Sequence, residues 1–194
     1  MVRIKSLCVY CGSSNDAPDS HRAAARRLGG LLAKSGIELV FGGGHVGLMG
    51  VIADAALGAG GRVTGVIPEH LVRAEVGHAK VTELVVVKSM HERKETMFVR
   101  SDAFAVLPGG FGTLDEFFEI LTWRQLRLHD RPIVLVDLDD YWRPLLHLID
   151  HLVERRYTRP ENRDLIRIVG QIDDVLPAIF AEGPPRVVAK PGKM

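Results

Sequence analysis

Glu116 lies a few residues past an almost unbroken glycine turn, Pro108-Gly109-Gly110-Phe111-Gly112-Thr113, which joins an apolar strand pattern to an amphipathic helix pattern. A carboxylate can stabilise developing positive charge or take a proton from water. A glycine-rich turn can hold an anion, because main-chain N–H groups at a helix start have no partner inside the helix and carry the positive end of its dipole. The pairing predicts a phosphate gripped by backbone with an acid facing whatever the phosphate carries. The same spacing also fits a T-x-x-E capping box from Thr113 to Glu116, with Asp115 simply favouring the helix dipole. A carboxylate folded back on its own helix start could not face a ligand, and Glu119, one turn further on, is then the alternative acid.

Other candidates surround that turn in the expected fold. Arg93 and Lys94 follow Met90-His91-Glu92 on a helix that starts just past a strand, where Arg93 can clamp a phosphate or developing charge and Lys94 can add a point charge. Their alternative is a solvated face of mixed charges. His91-Glu92 does not make H-E-x-x-H, since position 95 is Glu. Gly12-Ser13-Ser14 follows the first strand, and Gly42-Gly43-Gly44-His45-Val46-Gly47 follows the second. The latter satisfies G-x-G-x-x-G with Glu69 about twenty residues on, so an NAD(P)-binding oxidoreductase is a rival. Against it, the motif follows the second strand rather than the first, and Pro68 breaks the chain before Glu69. Among the histidines only His45 is expected near a ligand. His21, His70, His78, His129, His147 and His151 have no partners at metal-ligand spacing.

These residues need a scaffold, and the chain alternates short β-type with longer helix-type runs, the pattern of a doubly wound, Rossmann-like parallel α/β sheet with helices on both faces. Strands are expected at Ile4–Tyr10, Ile37–Phe41, Arg62–Ile67, Val81–Val87, Ala103–Leu107 and Ile133–Val136. Helices are expected near Ser20–Lys34, Gly47–Leu57, Ser89–Arg100, Leu114–Leu128 and Tyr141–Arg155, with short helical pieces near Pro160–Ile168 and Asp173–Phe180. Val85–Val87, Ala103–Leu107 and Ile133–Val136 are apolar without alternation, as for strands buried on both faces. Glu69 to Lys80 shows no period and reads as an irregular loop over the sheet edge. In such sheets ligands bind at the carboxyl ends of the strands, so the three glycine turns should meet in one polar pocket.

With 194 residues, 46% hydrophobic and 25% charged, the chain suits one nucleotide-binding domain over residues 1–182 and a loose tail over 183–194. Lys plus Arg total 25 against 24 for Asp plus Glu, which leaves no basic excess for a nucleic acid. No apolar run is long enough to cross a bilayer and the N-terminus carries no leader pattern, which reads as a soluble, cytoplasmic protein. Cys8 and Cys11 spell C-x-x-C, but a spacing of three along a strand points them to opposite faces, so they read as two reduced core thiols rather than a redox pair.

Taken together, Phe41-Gly42-Gly43-Gly44, Gly47-Leu48-Met49-Gly50, Met90-His91-Glu92-Arg93-Lys94 and Pro108 to Glu116 resemble the LONELY GUY family of cytokinin riboside 5'-monophosphate phosphoribohydrolases, also labelled possible lysine decarboxylases. The match runs from Cys11-Gly12-Ser13-Ser14 to about Glu154, and departs from the family at Asn15-Asp16, where many relatives carry glycine. The resemblance implies cleavage of the N-glycosidic bond of a nucleoside 5'-monophosphate such as AMP or N6-prenyl-AMP. Arg93 and Glu116 would be the catalytic pair. Glu75, Met90, Lys94, Gly109, Gly110, Phe111, Gly112, Thr113 and Thr122 would contact substrate, joined by Gly12, Ser13, Gly43 and Gly44 from the other turns. It also implies a homodimer, no metal and no organic cofactor. Met90, Met97 and Phe111 are candidate walls for the base, or equally core residues. A dinucleotide oxidoreductase and a non-catalytic nucleotide-binding module stay open as alternatives.

Overall fold

The computed structural model describes residues 4–72 and 77–182; Glu75 and the tail from 183 to 194 lie outside the described residues. Seven parallel strands form one sheet: β1 (Ser6–Tyr10), β2 (Glu38–Phe41), β3 (Val63–Pro68), β4 (Glu83–Val87), β5 (Ala103–Val106), β6 (Ile133–Val136) and β7 (Arg167–Val169). Their spatial order is β4-β3-β2-β1-β5-β6-β7, so the chain winds outward from β1 in one direction and then returns to β5 to wind outward in the other. The reversal lies between β1 and β5, which pair from Leu7–Ala103 to Tyr10–Val106. In an open α/β sheet that reversal opens a crevice beyond the strand ends.

The helices are α1 (Asp19–Lys34), α2 (Gly47–Gly58), the single turn α3 (Glu69–Val72), α4 (Met90–Val99), α5 (Phe111–Gln125), α6 (Arg143–Glu154) and α7 (Val175–Glu182). Successive strand residues point to opposite faces, and two cores result. Leu7, Val9 and Cys11 pack with Leu28 and Leu32 of α1, Ile52 of α2 and Ile179 of α7. Cys8 and Tyr10 pack on the other side with Met97 of α4, Phe117 and Ile120 of α5 and Leu145 of α6. The two cysteines are therefore unpaired, buried and on opposite faces, as their spacing requires. Burial pushes both thiols well above their usual range, with the nearby charge of Glu116 adding to the effect.

All six expected strands form, and three local expectations fail. Val85–Val87 is not buried on both faces. β4 is an edge strand whose residues alternate, with Leu84 and Val86 exposed, because only β3 flanks it. The short helical piece expected near Pro160–Ile168 forms as a 3₁₀ helix over Pro160–Leu165, but its last residues enter β7, a strand not expected, which completes the sheet beside β6. α5 begins at Phe111 rather than Leu114, and that shift changes the reading of its acids.

Candidate active site

Three glycine turns meet where the sheet reverses. Gly12 donates its N–H to the Pro108 carbonyl at 3.0 Å and accepts the Leu48 N–H on its own carbonyl at 3.0 Å, so the first turn holds the other two together. Asn15, the departure from the family pattern, has a visible use: its Oδ1 accepts the Gly47 N–H at 2.9 Å. Gly47 and Leu48 are the first residues of α2, so that helix start is capped by protein acceptors. Gly43 and Gly44 are buried; His78 donates its N–H to the Gly43 carbonyl at 3.0 Å, and Gly44 bridges to Gly77.

The turn before α5 is arranged differently. Gly110 is the N-cap residue, and the first bond of the helix runs from the Leu114 N–H to the Gly110 carbonyl at 3.0 Å. Among the described residues no protein acceptor takes the N–H groups of Phe111, Gly112 or Thr113, which carry the positive end of the helix dipole. Gly110, Phe111 and Gly112 are exposed, as is Ser13 in the first turn. Thr113 is buried against Gly109, where a Cβ would lie 2.1 Å from the Thr113 Oγ1, so only glycine leaves the turn room to close. Tyr141, from the segment after β6, braces the same turn by donating its hydroxyl to the Gly109 carbonyl at 2.8 Å.

Starting the helix at Phe111 places Thr113 inside it, so the capping box from Thr113 to Glu116 is not what begins α5. Glu116 sits half-buried in the second turn of the helix, close enough to the end of β1 for its charge to act on Cys8, Tyr10 and Cys11. Its neighbours on α5 share the Lys94 ammonium, whose Nζ lies 3.0 Å from Asp115 and 3.1 Å from Glu119. Burial alone would lower the pKa of this ammonium, but the two carboxylates outweigh burial and raise it, so Lys94 stays charged. Glu119, the alternative acid, is thus engaged in an ion pair.

Arg93 and Lys94 are both buried, and the solvated-face reading of the pair falls. The Arg93 guanidinium donates from Nη2 to the Gly42 carbonyl at 2.6 Å and from Nε to the Val66 carbonyl at 3.1 Å, fixing it against the ends of β2 and β3. A Cβ on Gly42 would lie 2.3 Å from that Nη2, which is why the turn after β2 starts with glycine. Met90, half-buried, reaches Arg93 through its sulfur at 3.8 Å.

Other expected contacts lie elsewhere. Met97 is fully buried in the core and cannot wall a pocket, whereas Phe111 is 93% exposed at the mouth of the turn. Thr122 is exposed on the α5 face of Asp115 and Glu119, about 16 Å along the helix from Phe111 at 1.5 Å per residue. Glu69, the acid of the dinucleotide reading, is exposed at the start of the single turn α3. Spacing gave no sign of Tyr141 or Asn15, since each acts on a turn distant in sequence. Nor did it show that His78, buried by its loop, meets His45 and Asp54.

Comparison with known proteins follows the same division between fold and site. A family model described as "Possible lysine decarboxylase" matches residues 49–179. A cytokinin riboside 5'-monophosphate phosphoribohydrolase of Rhodococcoides fascians is 43% identical over 90% of this chain and 89% of its own length. One of Arabidopsis thaliana is 41% identical over 90% and 85%. Among solved structures, the molybdenum cofactor carrier protein of Chlamydomonas reinhardtii superposes with a TM-score of 0.71 at 19% identity, covering 93% of this chain and 98% of that one. The molybdenum cofactor binding protein of Rippkaea orientalis gives 0.68 at 22% identity over the same shares, and at such identities the likeness speaks for the fold alone. With the family model matching residues 49–179 and relatives 41% and 43% identical over 90% of its length, the chain belongs to the LONELY GUY family, the one its model describes as possible lysine decarboxylases.

Proposed function

We propose that this protein hydrolyses the N-glycosidic bond of a nucleoside 5'-monophosphate, AMP or its N6-prenylated forms, to free base and ribose 5-phosphate. The observation that carries the reading is the α5 start: N–H groups of Phe111, Gly112 and Thr113 with no protein acceptor, on the same helix as Glu116. The 5'-phosphate docks there and fixes the ribose against the acid. As the bond from the anomeric carbon to the base nitrogen breaks, positive charge grows on the ribose ring. Glu116 stabilises that charge and takes a proton from the attacking water, while the bonding electrons leave with the base, which takes up a proton from solvent, and Glu116 returns its own proton to solvent to close the cycle. A guanidinium offers donors and no acceptor, so Arg93 is not the base. Its guanidinium, held by two carbonyls, positions Glu116 and balances negative charge on the leaving group. Lys94 supports the reaction by holding Asp115 and Glu119 together on α5 beside Glu116.

The dinucleotide alternative loses its main support, because the N–H groups that a pyrophosphate would take at the start of α2 are held by Asn15 and Gly12. We further propose a homodimer, in which exposed Phe111, Leu126 and Leu128 along α5 and its exit lose water against a second copy, with Glu75 and Thr122 reaching the substrate. Two buried, unpaired cysteines suit the reducing cytoplasm. Chromatography of AMP incubated with the enzyme tests the main reading. Adenine and ribose 5-phosphate should accumulate, with little release from adenosine. Equal rates on both would remove the phosphate-holding turn from the account, and no release from plain or prenylated AMP would leave a binding module.

A further inference from the structure

Beside the second glycine turn, and outside the proposed reaction, two imidazoles meet one carboxylate. The Nε2 of His45 lies 3.1 Å from Asp54 Oδ2, and the Nε2 of His78 lies 3.1 Å from Asp54 Oδ1. The rings lie 4.3 Å apart between centroids, tilted by 59° to each other, and the three ligand-type atoms all fall within 4.8 Å of one another. His78 is 1% exposed while His45 and Asp54 are open to solvent on one side. His45 leads into α2, Asp54 sits two turns inside it, and His78 arrives from the far loop, pinned through its own N–H to Gly43. The cluster therefore joins a helix, a glycine turn and a loop. Spacing in the sequence hides it because 24 residues separate Asp54 from His78.

We propose that His45, Asp54 and His78 form a binding site for a borderline divalent cation such as Zn²⁺. Two imidazole nitrogens and one carboxylate oxygen are a set such ions take, with water in the fourth position. Bond lengths of about 2.0–2.2 Å put tetrahedral ligand atoms about 3.3 Å apart, and each imidazole already stands 3.1 Å from a carboxylate oxygen, the two from different oxygens of Asp54. A turn of the Asp54 carboxylate and of the half-exposed His45 ring brings one oxygen and both Nε2 atoms, already within 4.8 Å of one another, onto one ion beside the buried His78. The ion replaces two hydrogen bonds to Asp54. It also moves the proton of the His78 ring to Nδ1, which gives up the long 3.3 Å bond from the Lys80 N–H. Bound there, it locks the loop at His78 to the turn whose Gly42 carbonyl holds Arg93, and so stiffens the frame behind the active site without touching substrate.

Titration of the tag-free, chelator-treated protein with Zn²⁺, followed by calorimetry, should show one ion per chain. The His45→Ala/Asp54→Asn double variant should bind far more weakly, beyond the roughly 10- to 100-fold that loss of a group supporting a metal ligand costs. Nitrogen-detected NMR of the wild-type imidazoles removes any dependence on the variant's folding: the Nε2 resonances of His45 and His78 should both shift at saturation. No stoichiometric binding, binding that survives in a folded double variant, or unmoved His45 and His78 resonances would each overturn the site. Failure of the nucleotide hydrolysis would leave this result untouched, since neither readout involves substrate.

Discussion

Two glycine turns of this protein look alike in sequence and do opposite work. The turn after β2 has its carbonyls at Gly42 and Gly43 taken by Arg93 and His78, and its helix start capped by Asn15 and Gly12. The turn after β5 is fixed from behind, by Thr113 on Gly109 and by the Tyr141 hydroxyl, and turns its leading N–H groups outward. One turn is a bracket for a buried cation, and the other, its leading N–H groups open, is the proposed cradle for an anion. Glycine content does not distinguish them; the protein acceptors around them do.

The largest expected effect separates the acid from its scaffold. Glu116→Gln should cut base release on the order of 10²–10⁴-fold, as for loss of a general base, while the melting temperature and AMP affinity hold. A variant with wild-type turnover would return the role to Glu119 or to no carboxylate at all. Next comes a matched pair of glycine substitutions. Gly42→Ala drives a methyl into the Arg93 guanidinium and should destabilise the fold by about 1–3 kcal/mol, the usual range for overpacking, with turnover falling as Arg93 shifts. Gly110→Ala meets nothing within 4 Å, so thermal stability should hold while KM for nucleotide rises. If Gly110→Ala melted early and Gly42→Ala did not, the bracket and the cradle would be assigned the wrong way round. The smallest effect belongs to Tyr141→Phe, which removes one ordinary hydrogen bond of about 1 kcal/mol behind the cradle and should raise KM about fivefold at most. An unchanged KM would show that Gly109 holds its place without that hydroxyl.

Much of this was legible in the sequence, for particular reasons. The strands β1, β5 and β6 announce themselves as apolar runs because both their faces are buried, and the glycine turns follow directly after strands. β4 reads as equally apolar, but being at the edge it exposes Leu84 and Val86, a position that only topology decides. β7 is three residues long and begins with an arginine, too short for any period to show. Around the candidate site, Arg93, Lys94 and Glu116 stand out by type and motif, whereas their burial and partners do not. Burial of the Arg-Lys pair, the engagement of Glu119 by Lys94 and the bond from Tyr141 to Gly109 all depend on residues brought together from distant parts of the chain. The same limit hid the partnership of His45 with His78. The capping-box reading failed because two spacings fit one motif, and the helix chose the earlier start at Phe111.

A crystal structure of the protein with ribose 5-phosphate, the product of the proposed reaction, tests the central claim most directly. The phosphate should lie on the N–H groups of Phe111, Gly112 and Thr113, with the anomeric carbon turned toward the Glu116 carboxylate. A phosphate seated instead in the Gly42–Gly47 turn, or a sugar whose anomeric carbon points away from Glu116, would contradict it.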